Sequence, residues 1–209
     1  MREADSAGVT IELLLLILVI GTALAFDFTN GFHDSANAMA TSVSTGALRP
    51  RTAVLLAAVL NVIGAFLSTE VAKTISGGIV NDAVVTPVMI FAGLVGAILW
   101  NLTTWLFGLP SSSSHALFGG LIGAVLVGAG TAGVNFSVIV SKIVLPALMA
   151  PLVAGVAAGL ATFLVYKWMR RADQEPAAGW FRRGQTVSGS MVALAHGTSD
   201  GQKTISSRV

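Results

Sequence analysis

The sequence predicts an all-α, polytopic membrane protein, and three observations carry that prediction. Of 209 residues, 54% are hydrophobic and 11% charged, with a mean hydropathy of +0.81; soluble domains carry roughly 25% charged residues. Five apolar stretches, 8–26, 52–71, 87–107, 115–133 and 138–168, are each long enough to cross ~30 Å of hydrocarbon as a helix. The Lys and Arg are few and sit mostly at the ends of these stretches, where they orient a protein in a bilayer.

The first stretch ends in Ala23-Leu24-Ala25, which has the small residues of a signal-peptide cleavage site. The leading "MREADSAG" is acidic rather than basic, so the stretch is expected to stay as a transmembrane helix. Turns follow at "TGALRPR", at "SGGIVNDAV" and at "GLPSSSS". The last apolar stretch is over-long and holds Pro146 and Pro151, so it should be kinked, tilted or split. Residues 1–168 thus read as a first transmembrane repeat of about five spans, 169–184 as a basic cytoplasmic linker, and 185–209 as the start of a second repeat. Arg49 and Arg51 lie in one loop, and Lys167, Arg170, Arg171, Arg182 and Arg183 in and around the linker. Both clusters fall on the cytoplasmic side of the cell membrane if the N-terminus is outside. A net charge of +2 gives no reason to expect a nucleic-acid partner, and zero cysteines exclude disulfides and thiol chemistry.

Polar residues then appear where hydrocarbon should tolerate few. Asp27, Asn30, Asp34, Asn37, Thr41 and Ser44 are spaced 3, 4, 3, 4 and 3 apart, one stripe on an α-helix. Asn30-Gly31 is a natural point to break that helix and free backbone carbonyls. Carboxylate, amide, hydroxyl and carbonyl oxygens together suit a monovalent cation or a proton; Asp27, Asn30, Asp34 and Asn37 are the candidates. A solvated surface helix would show the same stripe, but here apolar runs flank it. Next, "LPSSSSHALFGG" sets four serines at the mouth of an apolar helix. One or two would serve as caps. Ser112, Ser113 and Ser114, with unpaired N–H groups and the helix dipole, form a candidate phosphate or sulfate site. The following Gly119, Gly120, Gly123, Ala124 and Gly128 carry the four-residue small-residue spacing of closely packed membrane helices.

At the C-terminus, His196, Asp200, Lys203 and Ser207 repeat the stripe, and a shift of 166 residues lays Gly31 on Gly197 and Asp34 on Asp200. Paired, broken polar segments in two halves point to an inverted-repeat secondary transporter with broken or re-entrant helices. Lys203 would add a positive charge for a dianion.

These motifs resemble those of the inorganic phosphate transporter (PiT) family of cation-coupled phosphate permeases. The Gly-x-x-Asp-x-Ala-Asn-Ala pattern matches Gly31, Asp34, Ala36, Asn37 and Ala38. Pro-x-Ser-(Ser/Thr)-(Ser/Thr)-His matches Pro110, Ser112, Ser113, Ser114 and His115. His-Gly-Thr-Asn-Asp-Ala-Gln-Lys-Thr matches His196, Gly197, Thr198, Asp200, Gln202, Lys203 and Thr204. The resemblance implies that Asp34 and Asp200 serve coupling cations and that the serines, with Lys203 and Thr204, serve phosphate. It also implies alternating access, with Na⁺ or H⁺ as coupling ion and no other cofactor. Ser199 and Gly201 depart mildly from the motif, and Asn61 stands where some members carry a membrane-embedded Glu. The chain resembles only the N-terminal part of such a carrier and reads as C-terminally truncated. A second half-chain or a second copy is then the expected partner, alongside phosphate and lipid.

Two other readings compete. A non-transporting remnant, or a subunit of a split phosphate or sulfate permease, would share every motif. An intramembrane Ser-His-Asp hydrolase lacks a Gly-x-Ser-x-Gly elbow, and adjacent Ser114 and His115 would point about 100° apart on a helix; an enzyme is not expected. A metal site at His33 or His196 has no fixed ligand spacing behind it.

Overall fold

The computed structural model describes residues 2–67, 78–170 and 174–200. These form six long helices: α1 (Arg2–Ser44), α2 (Pro50–Leu67), α3 (Pro87–Leu106), α4 (Ser113–Ala129), α5 (Phe136–Met169) and α6 (Gln174–Asp200). Four helices are long and apolar enough to cross a membrane, Thr10–Ser44 of α1, α2, α3 and α5; α4 is apolar but shorter.

The expected break at Asn30-Gly31 is absent: α1 runs unbroken for 43 residues. A glycine inside a helix costs about 1 kcal/mol, whereas an unsatisfied backbone group in hydrocarbon costs several, so the hydrogen-bonded helix wins. Glycine breaks the chain only where the backbone turns left-handed. Gly46 (φ 70°) closes α1 and Gly108 (φ 64°) closes α3, with Leu48 N–H donating to Ser42 O and Leu109 N–H to Thr104 O. α3 starts with Pro87 behind a Thr86 cap that accepts from Met89 N–H. In α5 the expected effect of Pro146 takes the form of a π turn at Val140–Val144 before helix resumes at Leu145. Pro146 has no N–H to give to the preceding turn, and the wider ring absorbs the misfit. Pro151 sits inside the same helix without ending it. Residues 174–184 of the expected 169–184 linker are helical, and that helix runs on without a break from Gln174 to Asp200.

Helix α1 is the common wall of the bundle. Its first part packs with α3 and α4 through Ala23, Phe26, Leu94, Ala97 and Ala116. Its last part packs with α2 and α6 through Ala38, Met39, Ala53, Ala57 and Ala193. Lipid gives helices no hydrophobic reason to associate, so close van der Waals approach must hold them, and glycines sit at the crossings. A Cβ on Gly64 would lie 2.5 Å from Leu194 O, and one on Gly197 would run into Asn61 O. On α4, Gly120 abuts the Gly93 carbonyl and Gly128 takes the Met89 side chain, while a Cβ on Gly119 or Gly123 meets nothing within 4 Å among the described residues. A small apolar cluster, Ile79, Val80, Val125 and Val134, ties the turn before α3 to the turn before α5, with Asn81 N–H on Gly133 O and Asn135 N–H on Ile79 O. No residue of α5 is buried.

A polar junction on helix α1

Five buried positions of α1, flanked by buried Ala23, Thr29, His33 and Met39, step by four: Phe26, Asn30, Asp34, Ala38 and Ser42. This is the i+4 ridge of a helix, which slants around the axis. The polar stripe, averaging 3.4 residues per step, slants less and in the opposite sense. The two lines cross at Asn30 and Asp34, and there alone the stripe goes under cover. Asn37, Thr41 and Ser44 are exposed, so the structure does not bring Asn37 to the site. Asn30 and Asp34 therefore lie between the two apolar clusters that bracket them.

On one side, Asp34 (7% exposed) faces α4. Its Oδ2 accepts a hydrogen bond from the Ser113 hydroxyl at 3.3 Å, and Ser113 is 3% exposed. The other serines divide the remaining work. Ser112 caps α4, accepting from His115 N–H, and is exposed. Ser111 shares a 3.1 Å hydrogen bond with Thr104 of α3. Ser114 is half-buried.

On the other side, a cavity of about 180 Å³ opens between α1, α2 and α6, lined by Asp27, Asn30, Gly31, Asp34, Asn61, His196 and Gly197. It exceeds by more than tenfold the ~10–15 Å³ that one water needs. Asp27 and Asp34 are two helical turns apart, about 10 Å along the axis, so their carboxylates project from one face at two depths. Asn61 Oδ1 is buried with no partner among the described residues. His196 donates from Nδ1 to Val192 O at 3.0 Å, which leaves Nε2 as the acceptor in the neutral ring. Gly197 lets the α6 backbone press against that of α2, a contact any side chain would block. The two sequence motifs related by the 166-residue shift thus meet: Gly31 and Gly197 line one cavity.

Oxygen ligands and two carboxylates make the cavity a cation-attracting pocket, while hydroxyls and the start of a helix make the Ser113 side anion-attracting. Asp34 belongs to both. Of the residues that sequence spacing named, Asp27, Asn30 and Asp34 line the cavity and Asn37 lies on an exposed face; Asn61 was noted only as a departure from a pattern. Buried His33, one turn from the Asn30 amide, gave no signal beyond its place beside Asp34. Asp200 ends α6 with its side chain outside the described residues, and Lys203 and Thr204 lie outside them entirely.

Comparison with known proteins gives this geometry a family. The model of the phosphate transporter family matches residues 30–208. The chain belongs to the phosphate transporter family. It is 56% identical over 195 residues to a probable low-affinity inorganic phosphate transporter of Mycobacterium bovis, covering 93% of this chain and 47% of that one. A probable low-affinity inorganic phosphate transporter of Streptomyces halstedii is 51% identical, with 89% of this chain and 87% of that one covered. The low-affinity inorganic phosphate transporter PitA of Escherichia coli K12 is 37% identical over 92% of this chain and 44% of its own length. Against the mycobacterial and Escherichia coli relatives, then, the chain spans about half the length. A solved structure titled the sodium-dependent phosphate transporter shares the fold, with a TM-score of 0.67 at 24% identity over 87% of this chain and 55% of that one. The expectation of a phosphate-permease family member is borne out, as is that of an all-helical membrane-embedded chain.

Proposed function

We propose that the chain takes part in cation-coupled symport of inorganic phosphate across the cell membrane, with Na⁺ as the coupling ion. Phosphate binds at Ser113 and its neighbours Ser112 and Ser114, joined by Lys203 and Thr204; cations bind at Asp27, Asn30, Asp34 and Asp200. The observation that carries this reading is the hydrogen bond from Ser113 to Asp34. An anion held by Ser113 sits beside a buried carboxylate, and two like charges 4 Å apart repel by about 4 kcal/mol at an effective dielectric of 20. A cation in the cavity on the far side of Asp34 removes that penalty, and 1.4 kcal/mol is a factor of ten in affinity. Each ion then binds well only with the other. The family and the name of the solved structural neighbour support phosphate as cargo and Na⁺ as driver.

Alternating access would rock two packed units about this junction, the scheme of inverted-repeat carriers. The second unit would come from a further half-chain or a second copy. In this reading the N-terminus lies outside and the basic residues near 167–183 in the cytoplasm. Trp180 and Arg183, stacked at 5.8 Å, suit the membrane interface there.

The test is uptake of radiolabelled phosphate into proteoliposomes under an inward Na⁺ gradient, a pH gradient, or neither. Uptake driven by Na⁺ alone supports the reading; uptake driven by pH alone reassigns the ion to H⁺. No uptake from folded, inserted protein favours a subunit that works only with a missing partner.

A further inference from the structure

The α3 residue Asn101 is 1% exposed, yet neither its Oδ1 nor its Nδ2 has a hydrogen-bond partner among the described residues. A buried amide left empty costs free energy that an apolar residue of the same size avoids. Among those residues its side chain caps no helix and bridges none, so packing gives no reason for it.

Its position does. Helices α3 and α4 run antiparallel: Gly93 meets Gly120 and Leu121, Ala97 packs with Ala116, and Thr104 bonds to Ser111. That register sets Asn101 opposite the first turn of α4, at Ser112 and Ser113. Helix α1 passes Ala97 and Ala116 at Phe26 and reaches Ser113 two turns later at Asp34, so it runs parallel to α3. That register brings buried Asn101 to the level of the junction that holds Ser113 and Asp34, near the start of α4.

We propose that Asn101 is a ligand-binding residue whose amide bridges the two transported ions. Its Oδ1 completes the coordination of the cation beside Asp34, and its Nδ2 donates to an oxygen of the tetrahedral anion at Ser113. An amide is suited to this because one rigid group offers an acceptor and a donor in opposite directions. This inference rests on the symport reading above and gives it a physical link between the two ions.

The experiment measures equilibrium binding of radiolabelled inorganic phosphate to the whole chain in lipid nanodiscs, at several Na⁺ concentrations with ionic strength held by choline. Alongside it, the melting temperature is followed with and without Na⁺. Asn101→Leu should weaken phosphate binding at least tenfold and abolish its Na⁺ dependence, while the ligand-free protein melts at the same temperature or higher. Asn101→Asp keeps the acceptor and loses the donor, so Na⁺ should still raise the melting temperature while phosphate binding falls at least tenfold. Phosphate affinity and Na⁺ dependence unchanged in Asn101→Leu would overturn the proposal, as would a lower melting temperature with normal affinity, which marks a packing residue. A wild-type chain that binds no phosphate at any Na⁺ concentration overturns the symport reading itself, and is told apart because it shows before any variant is made.

Discussion

Asp34 is a carboxylate in a position that hydrocarbon forbids unless something answers its charge, and the Ser113 hydroxyl answers it only weakly, across a long 3.3 Å contact. Asp34→Asn keeps the shape and removes the charge. Phosphate binding should then lose its Na⁺ stimulation, a change of tenfold or more in a titration of affinity against Na⁺; retained stimulation would take Asp34 out of the coupling. The serines separate in the same assay. Ser113→Ala should weaken phosphate binding with little change in melting, whereas Ser112→Ala should weaken it less and also cost about 1 kcal/mol of stability as a lost cap. Equal effects of the two would mean that the run acts as one unit. At this scale the sequence was readable for residue type and spacing, but not for cover. Asn37 has the same chemistry and phase as Asn30, and differs only because the packing ridge has already slanted past it.

Among the elements, glycine decides which helices touch. Gly197→Ala or Gly64→Ala drives a methyl group into the backbone of the opposing helix, and backbone cannot move aside as a side chain end can. Overpacking of this kind costs about 1–3 kcal/mol or more, so both variants should melt well below wild type in detergent. Gly119→Ala and Gly123→Ala face open space and should melt as wild type does; a large loss there would show that another surface covers that face. The four-residue spacing in α4 was visible in the sequence, yet spacing alone does not say which of two interleaved rows faces a neighbour. Nor did Asn30-Gly31 reveal that α1 would continue, because the penalty for opening a helix belongs to the lipid and not to the dipeptide.

For the whole molecule, the parallel course of α1 and α3 and the antiparallel course of α3 and α4 fit a chain that crosses back and forth. The chain has no cysteine, so single introductions report cleanly. Arg51→Cys should react with a membrane-impermeant maleimide only after the cells are opened, and Asp82→Cys should react in intact cells; the reverse pattern would invert the proposed orientation. Four of the five expected spans appear as helices long and apolar enough to cross, whereas the stretch at 115–133 forms the shorter α4; the basic residues give the sidedness that the labelling tests. How α2 and α6 close a cavity against α1 was not legible, because Asn61, His196 and Asp27 come from three distant segments that are brought together by the apolar cluster and the glycine crossings.

Because α1 is shared between the α3–α4 pair and the α2–α6 pair, it cannot stay at rest relative to both if one pair shifts. Any such shift is resolved along a single helix, and Asp34 sits at the mid-point where the two loads meet. The carboxylate thus faces both pairs at once: a shift of one pair against the other would change the pocket on one face and the distance to Ser113 on the other together.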